Sequence, residues 1–378
     1  MAAEAGKTSL PSAIMTSRKP TATFPAQERR GNEARARSIA RLRTAAVWLP
    51  VAALAGAACA RLLNVQFWPA ELLWHFTAIF LYLSIIASLV LVAFSFYWPA
   101  AAAAMLAIFF GFAVYNVPGG MPPRGDSMLS AAQAHITAIA EEDRTRLRLV
   151  THNLYIHNQR REELAAWLRR QDADVIVMQE IDSGMAAVLE AAADIYPHQF
   201  FGWPRLWVEY PAMRSELNGL AILSRHPLDA PSVFQQTRYN APVAFAGLSL
   251  PDGQKVRLVV VHAANPLRRS GLRSRNRLFT TLADALKDQP GPLVVAGDFN
   301  ATPYTPAFAE FVRVARLTAS RRYPGTYPQF AGALGLPIDH VLVRDIHIDE
   351  IEALDAFGSD HRPLRAELVV TSVADGKP

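Results

Sequence analysis

Residues 72–96 (LLWHFTAIFLYLSIIASLVLVAFSF) run for 25 positions without a formal charge. A soluble helix of that length keeps a polar stripe where it meets water, and about 20 apolar residues already cross the hydrocarbon core of a bilayer. The stretch therefore predicts a membrane-spanning helix whatever else the chain does. Two neighbours share its character. Residues 45–62 are Ala-rich and flanked by Arg43 and Arg61, whose long side chains can reach the headgroups from either end. Residues 100–117 follow after Tyr97, Trp98 and Pro99. Trp48, Trp68, Trp74, Tyr97, Trp98 and Tyr115 gather at the junctions, as an interfacial aromatic belt would. His75 has no second ligand near it and reads as an interfacial residue rather than a metal ligand.

The 1–43 tail mixes Ala, Ser, Thr, Pro and Arg without an apolar period and is expected to be disordered. It carries nine Lys or Arg against three Glu, so the basic excess behind the net charge of +5 lies in the tail. Its apolar run begins too late for a signal peptide. The positive-inside rule places this tail in the cytoplasm. Three crossings then deliver everything after Val117 to the far side of a plasma or inner membrane. If the short first span does not insert, the remainder stays cytoplasmic. Residues 118–145 form a linker that opens on the breakers PGGMPPR and contains an amphipathic stretch at 128–139. The only cysteine, Cys59, lies in the apolar region, so the part beyond the linker forms no disulfide and no Cys-based zinc site.

Residues 146–372 have ordinary soluble composition. Strand-like apolar runs recur at 147–154, 175–178, 220–223, 243–250, 256–261, 293–296, 340–343 and 366–370, with a helical period at 162–170. The tight PDG turn at 251–253 suggests an antiparallel hairpin. The expected fold class is α+β: a four-layer α/β/β/α sandwich of two mainly antiparallel sheets, preceded by the transmembrane helices.

The polar residues at the ends of these strands carry the chemistry. Asn153 follows the first, Gln179 and Glu180 the next, and Asn218 precedes LAIL. His262 ends VRLVVV, Asp298 and Asn300 end LVVAG, Asp339 and His340 precede VLV, and Asp360 and His361 precede the last strand. Taken singly, Asp298 and Asn300 suit an Asx-type turn as well as a site. Seven such ends in one domain argue for convergence on one pocket. Carboxylates and amides without thiols favour a hard cation, Mg²⁺ or Mn²⁺, and three histidines lacking zincin spacing make zinc the rival. A metal, an oriented water and an imidazole fixed by a carboxylate together describe phosphate-ester hydrolysis.

The motifs THN (151–153), VMQEI (177–181), NGLAILSR (218–225), VVVHAANP (259–266), GDFNATP (297–303), IDHVLV (338–343) and GSDHRPL (358–364) resemble, in order and spacing, the endonuclease/exonuclease/phosphatase superfamily. The resemblance implies Glu180 as metal ligand, assisted by Asn153 and with Asp360 near the metal. It implies His361 as the base that activates water, Asp339 as its orienting partner, and Asp298 as the group that positions the nucleophile. Asn300 would contact the scissile phosphate, Asn218 would make a further phosphate contact, and His262 would act as acid or oxyanion stabiliser. Tyr155 stands where some relatives have an acidic residue, which takes a ligand for a second metal away from that corner.

Arg268, Arg269, Arg273, Arg275 and Arg277 read either as a solvated helix face or as a phosphate-attracting rim. Trp203, Trp207 and Tyr210 read as an aromatic lip or as packing under a loop. The expectation is thus a membrane-anchored, metal-dependent phosphoesterase, most simply a phosphodiesterase. Nucleic acid and phospholipid or inositol phosphate both remain open as substrates. The alternatives are a lipid- or inositol-phosphate-directed enzyme rather than a nuclease, or a non-catalytic binding module on the same fold.

Overall fold

The computed structural model describes residues 26–63, 68–117, 144–203, 219–235 and 242–371. Residues 1–25 of the tail, 118–143 of the linker, Trp207, Tyr210 and Asn218 lie outside them. The apolar region is helical: α1 (Ala26–Leu62), α2 (Trp68–Trp74), α3 (Thr77–Ala93) and α4 (Tyr97–Tyr115). Residues 26–43, expected to be disordered, are helical, consistent with their Ala, Arg and Glu content.

By length and composition α1 and α4 are apolar enough to cross a membrane. The element expected at 72–96 is not straight. α2 and α3 meet at 68° across a break at residues 75–76, so they make a third span only if taken as one bent pair. Ser88 Oγ on α3 donates to Ala100 O on α4 at 3.1 Å, so the chain doubles back between them. Leu54, Ala57 and Ala58 near the end of α1 pack on Phe110 of α4, small residues letting the backbones approach. Ile86, Leu89, Trp98, Met105 and Ile108 are each more than half exposed, an apolar surface too extensive for water-facing helices.

Beyond residue 143 the strands are β1 (Arg144–Asn153), β2 (Val175–Ile181), β3 (His198–Gly202), β4 (Gly219–Ser224), β5 (Leu228–Phe234) and β6 (Val243–Ser249). They continue with β7 (Lys255–His262), β8 (Leu293–Asp298), β9 (Thr318–Ala319), β10 (Asp339–Arg344), β11 (His347–Ala353) and β12 (Leu364–Thr371). Between them lie α5 (Arg161–Arg170), α6 (Ser183–Glu190), α7 (Arg269–Leu286) and α8 (Pro306–Val314). Two six-stranded sheets result, in the orders β11-β12-β1-β2-β4-β3 and β5-β6-β7-β8-β10-β9.

Leu147, Leu149, Val175 and Val177 of the first sheet meet Val294, Ala296 and Val341 of the second in a core between them. The opposite faces are covered too. Ile176 and Met178 lie under Trp167 of α5 and Leu189 of α6, and Val295 lies under Phe279 of α7 and Phe311 of α8. The order is α/β/β/α, as expected. Burial on both faces explains why the central strands read as unbroken apolar runs. The PDG turn does close the β6–β7 hairpin, with Ser249 opposite Lys255 and Gly253 at φ 85°.

Each sheet contains one parallel pair, β1 with β2 and β7 with β8, among otherwise antiparallel pairings. A parallel pair needs a crossover, supplied by α5 and α7, and it brings both C-terminal strand ends to one edge. Antiparallel neighbours enter from that same edge: Asp339 pairs with Asp298, and Leu364 with Thr151. Residues far apart in sequence are thereby delivered to one rim of the sandwich.

Candidate active site

Two local distortions turn side chains out of the sheets. The β2–β4 register slips between Gln179 and Ile181, leaving Glu180 as a bulge residue at φ 57°. A bulge re-aims a side chain, and a non-glycine residue in the left-handed region is strain that folds tolerate chiefly at working sites. At the end of β8, Gly297 has φ 141°, and a Cβ there would lie 1.9 Å from Val261 O of β7. Only glycine lets the strands approach so closely. Asn300, at φ 47°, donates its backbone N–H to Asp298 Oδ1 at 2.7 Å. The Asx turn is real, and it holds Asp298 at the converging rim.

Asn153 Nδ2 links the two sheets, donating to Glu180 Oε1 and to Asp298 Oδ2, each at 3.0 Å. Ile156 N donates to Glu180 Oε2 at 3.0 Å. His262 Nε2 stands 3.5 Å from Glu180 Oε1 and 3.9 Å from Asp298 Oδ2. His361 Nδ1 is 2.8 Å from Asp339 Oδ2, which leaves Nε2 3.9 Å from Asp298 Oδ2. Asn300 Nδ2 donates to Ala263 O and Asp298 Oδ2, both at 3.0 Å. Ser359 Oγ donates to Asn153 O and accepts from His361 N, tying the GSDH segment to the end of β1. Asp360 and Tyr327 line the same cleft, and the Tyr327 ring centroid is 4.9 Å from that of His361.

The electrostatics follow from burial and neighbours. Burial works to raise the Glu180 carboxyl, but His262, Asn153 and the Ile156 amide outweigh it and bring it down to about 2. Burial opposes charge on His262 as well, yet Glu180 and Asp298 raise its pKa. Burial and the Asp339 charge push Asp298 up to about 6 against His361 and His262. Despite burial, Asp339 holds His361 up to about 10. Burial also raises Asp360.

Two trios of donor atoms lie within 4.8 Å of one another: Glu180, His262 and Asp298; and Asp298, Asp339 and His361. Among them Asp339 Oδ1 and His262 Nδ1 are buried without a hydrogen-bond partner. Two carboxylates and an imidazole on one cleft wall fit a hard divalent cation. Asp360 belongs to neither trio, and Asn153 touches both through Glu180 and Asp298.

Some strand-end residues turn elsewhere. Gln179 Nε2 bonds Thr151 Oγ1 in the interior, and His340 is buried with Nε2 2.8 Å from Ala301 O. Trp203 stacks on Phe201, at 6.2 Å between centroids. The arginine run divides between surface and interior. Arg268, Arg269, Arg273 and Arg277 are exposed and outside the cleft lining, Ser270, Gly271 and Ser274 line it, and Arg275 is fully buried. Arg275 Nη2 donates to Glu71 Oε1 at 2.5 Å, and Nη1 donates to Asn300 O at 2.9 Å and to His75 Nε2 at 3.3 Å. Glu71 and His75, from the segment before α3, were absent from the expected site, because nothing local couples them to residues two hundred positions away.

An Asp–His couple facing a second carboxylate–imidazole couple, on the shared rim of two sheets, is an arrangement suited to activating water. A family model described as Endonuclease/Exonuclease/phosphatase family matches residues 150–361, more than half of the chain. The chain belongs to that family. Enzymes of the family generally depend on a divalent metal, which the two donor trios suit.

A UPF0294 protein of Vibrio cholerae is 34% identical over 122 residues, covering 32% of this chain and 42% of that protein. One of Vibrio vulnificus is 35% identical over 117 residues, covering 30% and 40%. The chain thus spans about two fifths of the length of the curated relatives it matches. A crystal structure of an endonuclease/exonuclease/phosphatase from Beutenbergia cavernae shares the fold, with a TM-score of 0.52 at 21% identity over 60% of this chain and 72% of that one.

Proposed function

We propose that this protein is a membrane-anchored phosphodiesterase that uses Mg²⁺ or Mn²⁺, with the catalytic domain outside the cytoplasm. The observation that carries the reading is the 2.8 Å contact of His361 Nδ1 with Asp339 Oδ2, which directs Nε2 into the cleft beside Asp298. Glu180 and Asp298 would hold the cation, with Asn153 and Asp360 at its edge. When bound, the cation supplies positive charge that polarises a phosphoryl oxygen, and its repulsion favours a neutral His361.

Water lies between His361 Nε2 and Asp298, which accept its hydrogens and aim its lone pair at phosphorus. As the new P–O bond forms, His361 takes the water proton and Asp339 stabilises the resulting imidazolium. The ester P–O bond breaks on the far side. Burial opposes charge on His262 but Glu180 and Asp298 raise its pKa, which suits it to return a proton to the leaving oxygen. Two imidazoles for the two oxygens of a displacement favour a diester over a monoester. Asn300 is suited to touch a non-bridging oxygen once one of its present acceptors yields, and Asn218 is offered as a second phosphate contact.

The anchor rests on α1, α4 and the bent pair. The two helices α3 and α4 return the chain to the side on which α2 lies, which agrees with the bonds between α2 and the catalytic domain. The basic tail supports a cytoplasmic N-terminus. Detergent-solubilised full chain should hydrolyse bis(para-nitrophenyl) phosphate with Mn²⁺ and stop on chelation. Glu180→Ala and His361→Ala should each lose about 10²-fold or more in kcat/KM, the usual scale for a general base or its electrostatic partner. Full activity in either variant would sink the reading and favour the binding-module alternative.

A further inference from the structure

The cleft, a cavity of about 770 Å³, is not built by the catalytic domain alone. Its polar wall carries Glu180, His262, Asp298, Asn300 and His361, whereas the facing wall includes Leu72, His75 and Phe76 from α2 and the break before α3. That wall is fastened down. All five N–H hydrogens of the buried Arg275 guanidinium find acceptors, including Glu71 Oε1, His75 Nε2 and Asn300 O. Trp68 Nε1 donates to Pro266 O at 2.8 Å, and Arg61 Nη1 to Tyr304 O at 2.9 Å. One guanidinium therefore joins the helix before α3 to the backbone of the GDFN turn.

The lining also shows which phosphate ester belongs here. Among the described lining residues there is no Lys and no Arg, so these residues offer no cation to a polyanionic nucleic-acid backbone. Beyond the acid–imidazole cluster the lining offers the apolar Leu72, Phe76, Leu267 and Leu336, with the uncharged Asn265, Ser270 and Ser274 as polar neighbours. Leu267 is 66% exposed at the mouth. The segment between the lining residues Tyr327 and Leu336 adds Phe330 and Leu334, 84% and 76% exposed. Phe76 leads directly into α3, whose outer surface is apolar throughout. A path of apolar side chains thus runs from the cluster to the helices that suit a bilayer.

We propose that the α2–α3 bend is a specificity-determining wall of the active site, and that the substrate is a phosphodiester carried on a membrane lipid. The phosphate sits at the acid–imidazole cluster, and the apolar portion lies along Leu72, Phe76 and Leu267. This rests on the phosphodiesterase reading above and adds its substrate class. The reaction is the same displacement: water adds to phosphorus, the ester P–O bond breaks, and the leaving oxygen takes a proton.

The test compares two diesters with one leaving group, methyl para-nitrophenyl phosphate and hexadecyl para-nitrophenyl phosphate, using the full chain in mixed micelles with Mn²⁺. The readout is discrimination, the ratio of kcat/KM for the hexadecyl ester to that for the methyl ester. Leu72→Ser/Phe76→Ser should lower it about tenfold, the scale of losing contact with two large apolar side chains. Leu267→Ser, on the catalytic domain and outside the helices, should lower it a few-fold and guards against misfolding of the double variant. A wild-type ratio near one, an unchanged ratio in both variants, or equal losses on both esters would overturn the wall. So would an oligonucleotide hydrolysed faster than the hexadecyl ester. Failure of the phosphodiesterase reading looks different: the methyl ester would then be untouched, or cut as well by His361→Ala.

Discussion

The Arg275–Glu71 pair offers the sharpest quantitative test of the architecture. Arg275 is fully buried and Glu71 is 8% exposed, so neither is compensated by water if its partner is removed. Burial lowers the Arg275 pKa to about 10 against the pull of Glu71, still cationic at neutral pH. Glu71→Gln keeps the shape but strands this charge. Breaking a buried pair from one side costs about 3–5 kcal/mol, which in a domain of this size lowers Tm by roughly 6–15 °C. Glu71→Leu combined with Arg275→Met removes both charges and should recover much of the loss, as apolar replacement of whole buried pairs often does. Thermal unfolding of wild type, Glu71→Leu, Arg275→Met and the double variant in one detergent gives the coupling, expected above about 1.5 kcal/mol for groups in direct contact. Because Arg275 also holds Asn300 O, Arg275→Met alone should slow kcat more than it weakens folding would suggest. A Glu71→Gln variant within about 2 °C of wild type, or coupling under about 0.5 kcal/mol, would refute the claim that the helices and catalytic domain form one buried joint.

Three further outcomes follow from the same geometry. The His361 pKa is raised, so its pairing stabilises the fold fully below its unfolded value of about 6.5 and is lost as pH rises through about 10. Asp339→Asn, measured without added metal, should therefore be most destabilising near pH 6 and approach wild type near pH 10; a deficit that grows with pH contradicts the pairing. Gly297→Ala must place a Cβ 1.9 Å from Val261 O at φ 141°, and should cost about 3 kcal/mol or more, seen as a large fall in Tm. A reporter active only outside the cytoplasm, fused after Val117, should give signal; a silent but normally expressed fusion would return the catalytic domain to the cytoplasm.

The strands that local pattern missed are informative. Residues 198–202, 228–234, 318–319 and 347–353 carry no continuous apolar run, and they are β3, β5, β9 and β11, the four edge strands of the two sheets. An edge strand is covered less and needs fewer apolar side chains, so periodicity does not announce it. The central strands were legible for the opposite reason. The straight span expected at 72–96 shows a related limit. Composition reports the environment of a residue, and Leu72, His75 and Phe76 are apolar or aromatic whether they face lipid or a catalytic cleft.

By itself the sequence determined that largely apolar helices precede a two-sheet sandwich, and that Glu180, His262, Asp298, Asn300, Asp339 and His361 stand at strand ends, because both are properties of local composition and strand punctuation. Tertiary structure alone decided what those residues meet. The crossovers α5 and α7 bring two parallel pairs to one rim, the β2 bulge turns Glu180 outward, and Arg275 leaves the expected basic rim to bind Glu71 and the Asn300 carbonyl. The physical reason is that burial of a charge is settled by partners distant in sequence: an arginine run looks solvated until an acid from another segment closes over one of its members.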